Sequence, residues 1–203
     1  MKKKKMKKRE KNFLKEQYSK SWDFIKESKN FIWSIVVIFF GVALVSFIFP
    51  TPDLVVQKIF EILRELLEKT SGMSGSELTG FIFFNNLQAS FFGMIFGIIF
   101  GIFPVLVAVA NGYLLGFVGK IVVAEEGFLS LGALLPHGIF ELLAVFISLG
   151  LGMKLGSFIF QKKKSESFKE FFWNSLRVFI FVVVPLLIIA AIIEGSLIVS
   201  FGN

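Results

Sequence analysis

Hydrophobic and polar positions divide the chain into long uncharged runs separated by short charged segments. Residues 31–49 are apolar apart from Ser34 and Ser46, about the length a helix needs to cross a hydrocarbon layer. From Leu78 to Gly119, 42 consecutive residues include no Asp, Glu, Lys, Arg or His, enough for two crossings. Their division is expected at Gly101-Ile102-Phe103-Pro104, because proline disfavours helix at the residue before it. That places spans over 80–101 and 104–122. A fourth is expected over 136–160, opened by Pro136 at a first helical position, and a fifth over 173–199. The pattern predicts an all-α, polytopic membrane bundle of about five helices.

The segments between spans have their own periodicity. Leu14, Tyr18, Trp22 and Ile25 form a helical stripe among lysines, as expected of a helix lying on a membrane surface. Residues 52–69 place Val56, Ile59, Phe60, Leu63, Leu66 and Leu67 on one face, opposite Lys58, Glu61, Arg64, Glu65 and Glu68. This segment is too charged to span and is expected to be an external amphipathic helix, capped by Thr51 with Pro52 at its first position. The pairs Arg64–Glu68 and Glu65–Lys69 have the i,i+4 spacing that supports a helix. A short amphipathic elbow presenting Phe168, Phe171 and Phe172 is expected before the fifth span.

Composition sharpens this picture. The 203 residues are 55% hydrophobic with 28 Phe and only 18% charged, against about 25% charged in soluble domains. Disorder and an ordinary soluble enzyme are excluded. The net charge of +7 arises at one end, because residues 1–30 carry 12 basic and 4 acidic side chains. Residues 1–30 therefore read as a basic cytoplasmic segment facing anionic lipid, followed by a single transmembrane domain over 31–203. No base-reading motif accompanies the lysines, so no nucleic-acid partner is expected. The first apolar run ends in Phe49-Pro50-Thr51-Pro52, which is not a small-residue cleavage site. Loop charge puts residues 1–30 and the Gln161–Glu170 elbow inside, and residues 50–77 and Glu125–Glu126 outside. The expected topology is N-terminus cytoplasmic and C-terminus external in the cell membrane.

Candidate chemistry is sparse. Ala89, Gly93, Gly97 and Gly101 recur every four residues, as do Ala108, Gly112 and Gly116. Such stripes let helix backbones approach closely in lipid, and a tight hairpin of spans two and three is expected, with a glycine-lined conduit as the alternative. Asn85, Lys120, His137, Glu141 and Glu194, from four spans, are expected to converge near the outer leaflet, with Asn111 deeper. An ionisable group in a span normally faces a cavity or a partner. The cluster is therefore either a proton-, ion- or substrate-handling site or a polar clamp in which Lys120 neutralises a glutamate. With no cysteine, one histidine and no H-E-x-x-H pair or nucleophile elbow, neither a metal nor a catalytic site is expected.

Asn85-Asn86, Gly97-Ile98-Ile99-Phe100-Gly101-Ile102-Phe103-Pro104, Asn111-Gly112, Pro136-His137-Gly138-Ile139-Phe140-Glu141 and Ile192-Ile193-Glu194-Gly195 together resemble the stage II sporulation protein M family. The resemblance implies an all-helical integral membrane protein without a cofactor. In spore formers the namesake joins a peptidoglycan-degrading complex at the engulfing septal membrane, holding lytic partners without cutting the wall. The first expectation is a non-enzymatic scaffold whose partners are the bilayer and other membrane or extracytoplasmic proteins, with self-association also open. A small transporter or channel using the outer-side polar cluster is the alternative, and an intramembrane enzyme a third.

Overall fold

A computed structural model describes the backbone of residues 2–201 and the side chains of 12–130, 132 and 138–193. It is a helical bundle without strands among the described residues. The helices are α1 (Lys2–Glu27), α2 (Lys29–Ile48), α3 (Asp53–Thr70), α4 (Gly75–Ile95), α5 (Ile102–Glu126), α6 (Leu135–Gly156), α7 (Lys164–Val178) and α8 (Val184–Phe201). Five helical stretches are long and apolar enough to cross a membrane: Lys29–Ile48, Gly75–Ile98, Ile102–Glu126, Gly138–Phe160 and Lys164–Ile193. One end of the bundle carries α1, the 99–101 turn and the 161–163 turn, and is called the basic face here. The 50–52, 71–74 and 127–134 connections lie at the opposite face.

Local chemistry explains most boundaries. Ser74 caps α4 reciprocally with Glu77: the Glu77 amide donates to the Ser74 hydroxyl, and the Ser74 amide donates to the carboxylate at 2.8 Å. Helix α4 therefore starts five residues before the expected span. A 3₁₀ turn, Phe96–Ile98, ends it, and Phe100 and Gly101 take left-handed φ values of 55° and 70°. The chain reverses there, ahead of Pro104, which fits in the first turn of α5 because its missing N–H has no partner to lose there. Thr51 does not cap α3: Pro52 is the residue flanking its start, and its carbonyl accepts from Val55 and Val56.

The expected elbow before the fifth span is absent. Residues 164–201 form one uninterrupted helical rod through a π turn at Phe179–Val183. No Gly or Pro precedes Pro185 in this rod, so nothing breaks it. Pro185 cannot donate the bond that an α-helix would require and crowds the preceding turn; the π turn widens the ladder where that occurs.

Helix α6 is the axle. Its apolar window is the most buried of the five. One side packs Ala144, Ile147 and Leu151 with Met94, Val178 and Leu187. The other packs Phe146 and Leu149 with Ile35, Phe39 and Ala108.

The glycine stripes do not form the expected hairpin of α4 and α5. A Cβ at Gly97 would stand 2.1 Å from the Gly152 carbonyl oxygen of α6, and one at Gly93 would stand 2.6 Å from Leu149. Gly101 lies against Met153, and Gly156 meets the Gly97–Gly101 backbone. On α5, Gly112 and Gly116 press instead on the Phe39 and Ala43 carbonyls of α2, at 2.4 and 2.0 Å from a built Cβ. Both seams join helices that run in the same direction and are not neighbours in sequence. The overlooked signal was a third stripe, Ser148, Gly152 and Gly156, on α6: a glycine gains a close backbone approach only opposite another small face.

Candidate functional site

Of the expected outer polar cluster, the described residues bring Glu141 beside Asn86, the neighbour of the expected Asn85, and hold Lys120 and Asn111 on backbone carbonyls. Glu141 of α6 and Asn86 of α4 line one small space with Leu187 and Ala191 of α8. The neighbouring Asn85 is exposed instead, since adjacent helical residues point about 100° apart. Among the described residues Lys120 is paired with no glutamate; its ammonium donates to the Phe49 carbonyl at 2.9 Å. That oxygen lies at the C-terminal end of α2, where carbonyls have no helical partner. Asn111 donates to the Val107 carbonyl of its own helix at 2.8 Å and is exposed. The side chains of His137 and Glu194 fall outside the described residues.

Among the described residues, the most deeply set charge is one that sequence reading missed. Lys154, near the end of α6 at the basic face, is 6% exposed. Its Nζ lies 3.4 Å from Glu27 Oε2 and 4.0 and 5.2 Å from the ring centroids of Phe24 and Phe171. Desolvating an ammonium is costly without an opposite charge and polarisable neighbours; Glu27 and the two rings supply both. Arg177 of α7 donates through Nε to Gln17 Oε1 of α1 at 2.9 Å and also bonds Asn174. Lys20, Asp23, Glu27, Glu170, Asn174 and Arg177 surround a cleft of about 380 Å³ above these contacts. Cations and carboxylates alternate there, so the cleft joins α1 to the bundle more than it concentrates one sign of charge. Ser21 and Phe24 are buried on one side of α1, and Ser28, just beyond its end, is buried as well. Of the expected stripe, Leu14, Tyr18 and Trp22 are about half exposed, yet the Tyr18 ring meets Phe181 edge-on at 5.8 Å and Ile25 packs against the core; Lys26 lies 5.8 Å from the Trp22 ring. Along α1, the Lys20 ammonium 2.6 Å away holds the Glu16 carboxyl below its usual range.

Helix α3 differs in attachment. Ile59 is its one buried residue, and Phe60 reaches the Phe117 ring edge-on at 6.0 Å. Leu54, Ile62 and Leu67 are 77%, 53% and 68% exposed. On the polar side, Lys58 pairs with Glu61 at 2.5 Å and Arg64 with Glu68 at 3.2 Å. The Glu61 carboxylate raises the Lys58 pKa. Among the described residues, no three His, Cys, Asp or Glu side chains come together as metal ligands.

The family model described as stage II sporulation protein M matches residues 29–197, most of the chain. The chain belongs to that family. No curated protein and no solved structure matches it. The match starts at the first residue of α2, so the stage II sporulation protein M region comprises α2 through most of α8, including α3 and the α6 axle. Helix α1 and half of the charged cleft precede it. This is therefore a membrane protein of the stage II sporulation protein M family with an added basic helix fastened to one face.

Proposed function

We propose that this protein is a non-enzymatic scaffold of the cell membrane that holds partner proteins through α3 on the outer side, with α1 on the cytoplasmic side. The observation that carries this reading is the contrast in packing between α3 and the bundle. The bundle is locked by backbone-to-backbone glycine contacts, whereas α3 has a broad apolar arc of which the bundle covers only the middle, at Ile59. Exposed apolar strips on both flanks of a helix are docking surface for a partner with a matching groove. The family's resemblance to a component that holds other proteins agrees with this.

Charge supports the orientation. The basic face gathers the lysines of residues 1–30, Lys162, Lys163 and Lys164, and also all three tryptophans, each exposed. The chain contains no cysteine, so single cysteines report sidedness cleanly. One at Ser74 is expected to react with an impermeant reagent applied outside, and one at Ser165 is not.

The transporter alternative would need the Glu141–Asn86 space to communicate with both sides, and the Gly97–Gly152 contact narrows the α4–α6 interface below it. The deciding experiment pairs two measurements on the full chain. Partners are co-purified from native membranes with the unaltered protein and with Leu67→Asp, and proton and ion flux is measured in liposomes. The scaffold reading expects Leu67→Asp to lose its partners while folding normally, and expects no flux above empty liposomes. Flux abolished by Glu141→Gln would establish the alternative.

A further inference from the structure

The charges of the cleft between α1 and α7 divide into those already neutralised and those that are not. Five charged side chains line it: Lys20, Asp23, Glu27, Glu170 and Arg177. Three have ion partners outside the lining, Lys20 with Glu16, Asp23 with Lys26 and Glu27 with Lys154. Among the described residues, Glu170 and Arg177 form no ion pair. The acceptors on the Arg177 guanidinium, Gln17 Oε1 and Asn174 Oδ1, are neutral. They orient it and take two of its five N–H donors, but they leave its charge uncompensated. A charge on a helix of this kind, long and apolar enough to cross a membrane, calls for a counter-charge.

Glu170, Asn174 and Arg177 stand at i, i+4 and i+7, on one face of α7. The rise of the helix separates the two unpaired charges by about 10.5 Å. Their order relative to the apolar surface is fixed as well. From Val178 to Ile193 the rod has no polar side chain, and Ile180 is exposed. Arg177 borders that apolar stretch, whereas Glu170 lies two turns nearer the 161–163 turn. Trp22, between Lys20 and Asp23, and Trp173, next to Asn174, are both exposed beside the cleft. Exposed tryptophans mark the level of lipid headgroups.

We propose that this cleft binds the headgroup of a phosphoethanolamine lipid, with its phosphate on Arg177 and its ammonium on Glu170. Leaving the apolar rod, the cation comes first and the carboxylate second. Such a lipid presents its tail, phosphate and ammonium in the same order. The phosphate accepts from the remaining guanidinium donors and the ammonium donates to the carboxylate, so both contacts are charge-assisted. A lipid with only an anionic head would leave Glu170 without a counter-charge. The site is separate from α3 and does not depend on the scaffold reading.

The test uses the full-length protein in vesicles of phosphatidylethanolamine, phosphatidylglycerol and phosphatidylcholine, in equal parts with identical acyl chains. The protein is extracted and its retained lipid read by native mass spectrometry. Phosphatidylglycerol keeps the phosphate but has no cation, and the quaternary nitrogen of phosphatidylcholine has no N–H to donate. The unaltered protein is expected to retain phosphatidylethanolamine about fivefold over either, the scale of one hydrogen bond to a charged group. Glu170→Gln, on an exposed side chain, should fold normally and lose that preference, and Glu170→Lys should turn it toward phosphatidylglycerol. Arg177→Gln should lower retention of all three lipids several-fold. If that variant fails to fold, the Glu170 variants, which break no bond to α1, still decide. Equal retention of the three lipids by the unaltered protein, or a preference that survives Glu170→Gln, would overturn the proposal. So would displacement of the lipid by an equal concentration of soluble glycerophosphoethanolamine, because the ligand would then be a water-borne ester.

Discussion

Helices α1 and α3 have the same kind of sequence, an apolar stripe on a charged helix, yet they are held by different means. The second half of helix α1 is fastened by buried Ser21 and Phe24, by the Lys154–Glu27 pair and by the Arg177–Gln17 bond. Helix α3 is attached at Ile59 and at the Phe60–Phe117 contact. The lesson is that amphipathicity does not decide whether a surface helix is structural or available. What decides it is whether its polar side finds partners in the body. The charged side of α1 meets Lys154 and Arg177, whereas the charges of α3 pair with one another.

The platform beneath both helices should show the largest effect. Gly97→Leu would drive a side chain into the Gly152 backbone, and overpacking of that kind costs upwards of about 3 kcal/mol where backbone cannot yield. Its folded yield in detergent is expected to collapse, while Gly80→Leu, with nothing within 4 Å of a built Cβ, should express normally. Equal yields would remove the rigid platform from the comparison.

Loosening α1 should have an intermediate effect. Phe24→Ala removes a buried ring and its contact with Lys154, worth about 3 kcal/mol. Glu27→Gln leaves Lys154 without its carboxylate but keeps the rings, and should cost about 1–2 kcal/mol because Glu27 itself is largely exposed. Both should raise amide hydrogen exchange in α1 selectively, towards the fast exchange expected of α3. Exchange that rises throughout the bundle would mean α1 is not a separable element.

The smallest effects belong to α3. Leu67→Asp should leave the thermal midpoint of the bundle within about 2 °C, because the residue touches little of it. Arg64→Ala should change stability by less than about 0.5 kcal/mol, as expected for an exposed i,i+4 pair. A large loss of bundle stability in either variant would show that α3 is more firmly fastened than its burial indicates.

The class of fold and the number of apolar helices were legible because uncharged runs of span length have few other uses. The turn at Phe100–Gly101 was legible from its glycine and the following proline. Partner choice within the bundle was not. The stripe at Gly93, Gly97 and Gly101 announces a close approach without naming the opposing helix, and the nearer stripe in sequence, on α5, packs elsewhere. Lys154 was legible and missed: it is the one charged residue between Glu141 and Lys162, and a lone intramembrane lysine calls for a partner. That partner, Glu27, lies 127 positions away, a distance that no periodicity bridges. The Asn85–Asn86 pair shows the remaining limit, since only the three-dimensional rotation of α4 selects Asn86 to face Glu141.

The central claim is that α3 contacts partner protein. Photo-crosslinking residues placed at Phe60, Ile62, Leu66 and Leu67 of the full chain in native membranes, with Trp22 on α1 as the lipid-facing comparison, test it most directly. The account predicts discrete protein adducts from at least one flank of α3 and lipid adducts from position 22. Lipid adducts alone from all four α3 positions would contradict it, because α3 would then be a membrane-surface helix with no partner to hold.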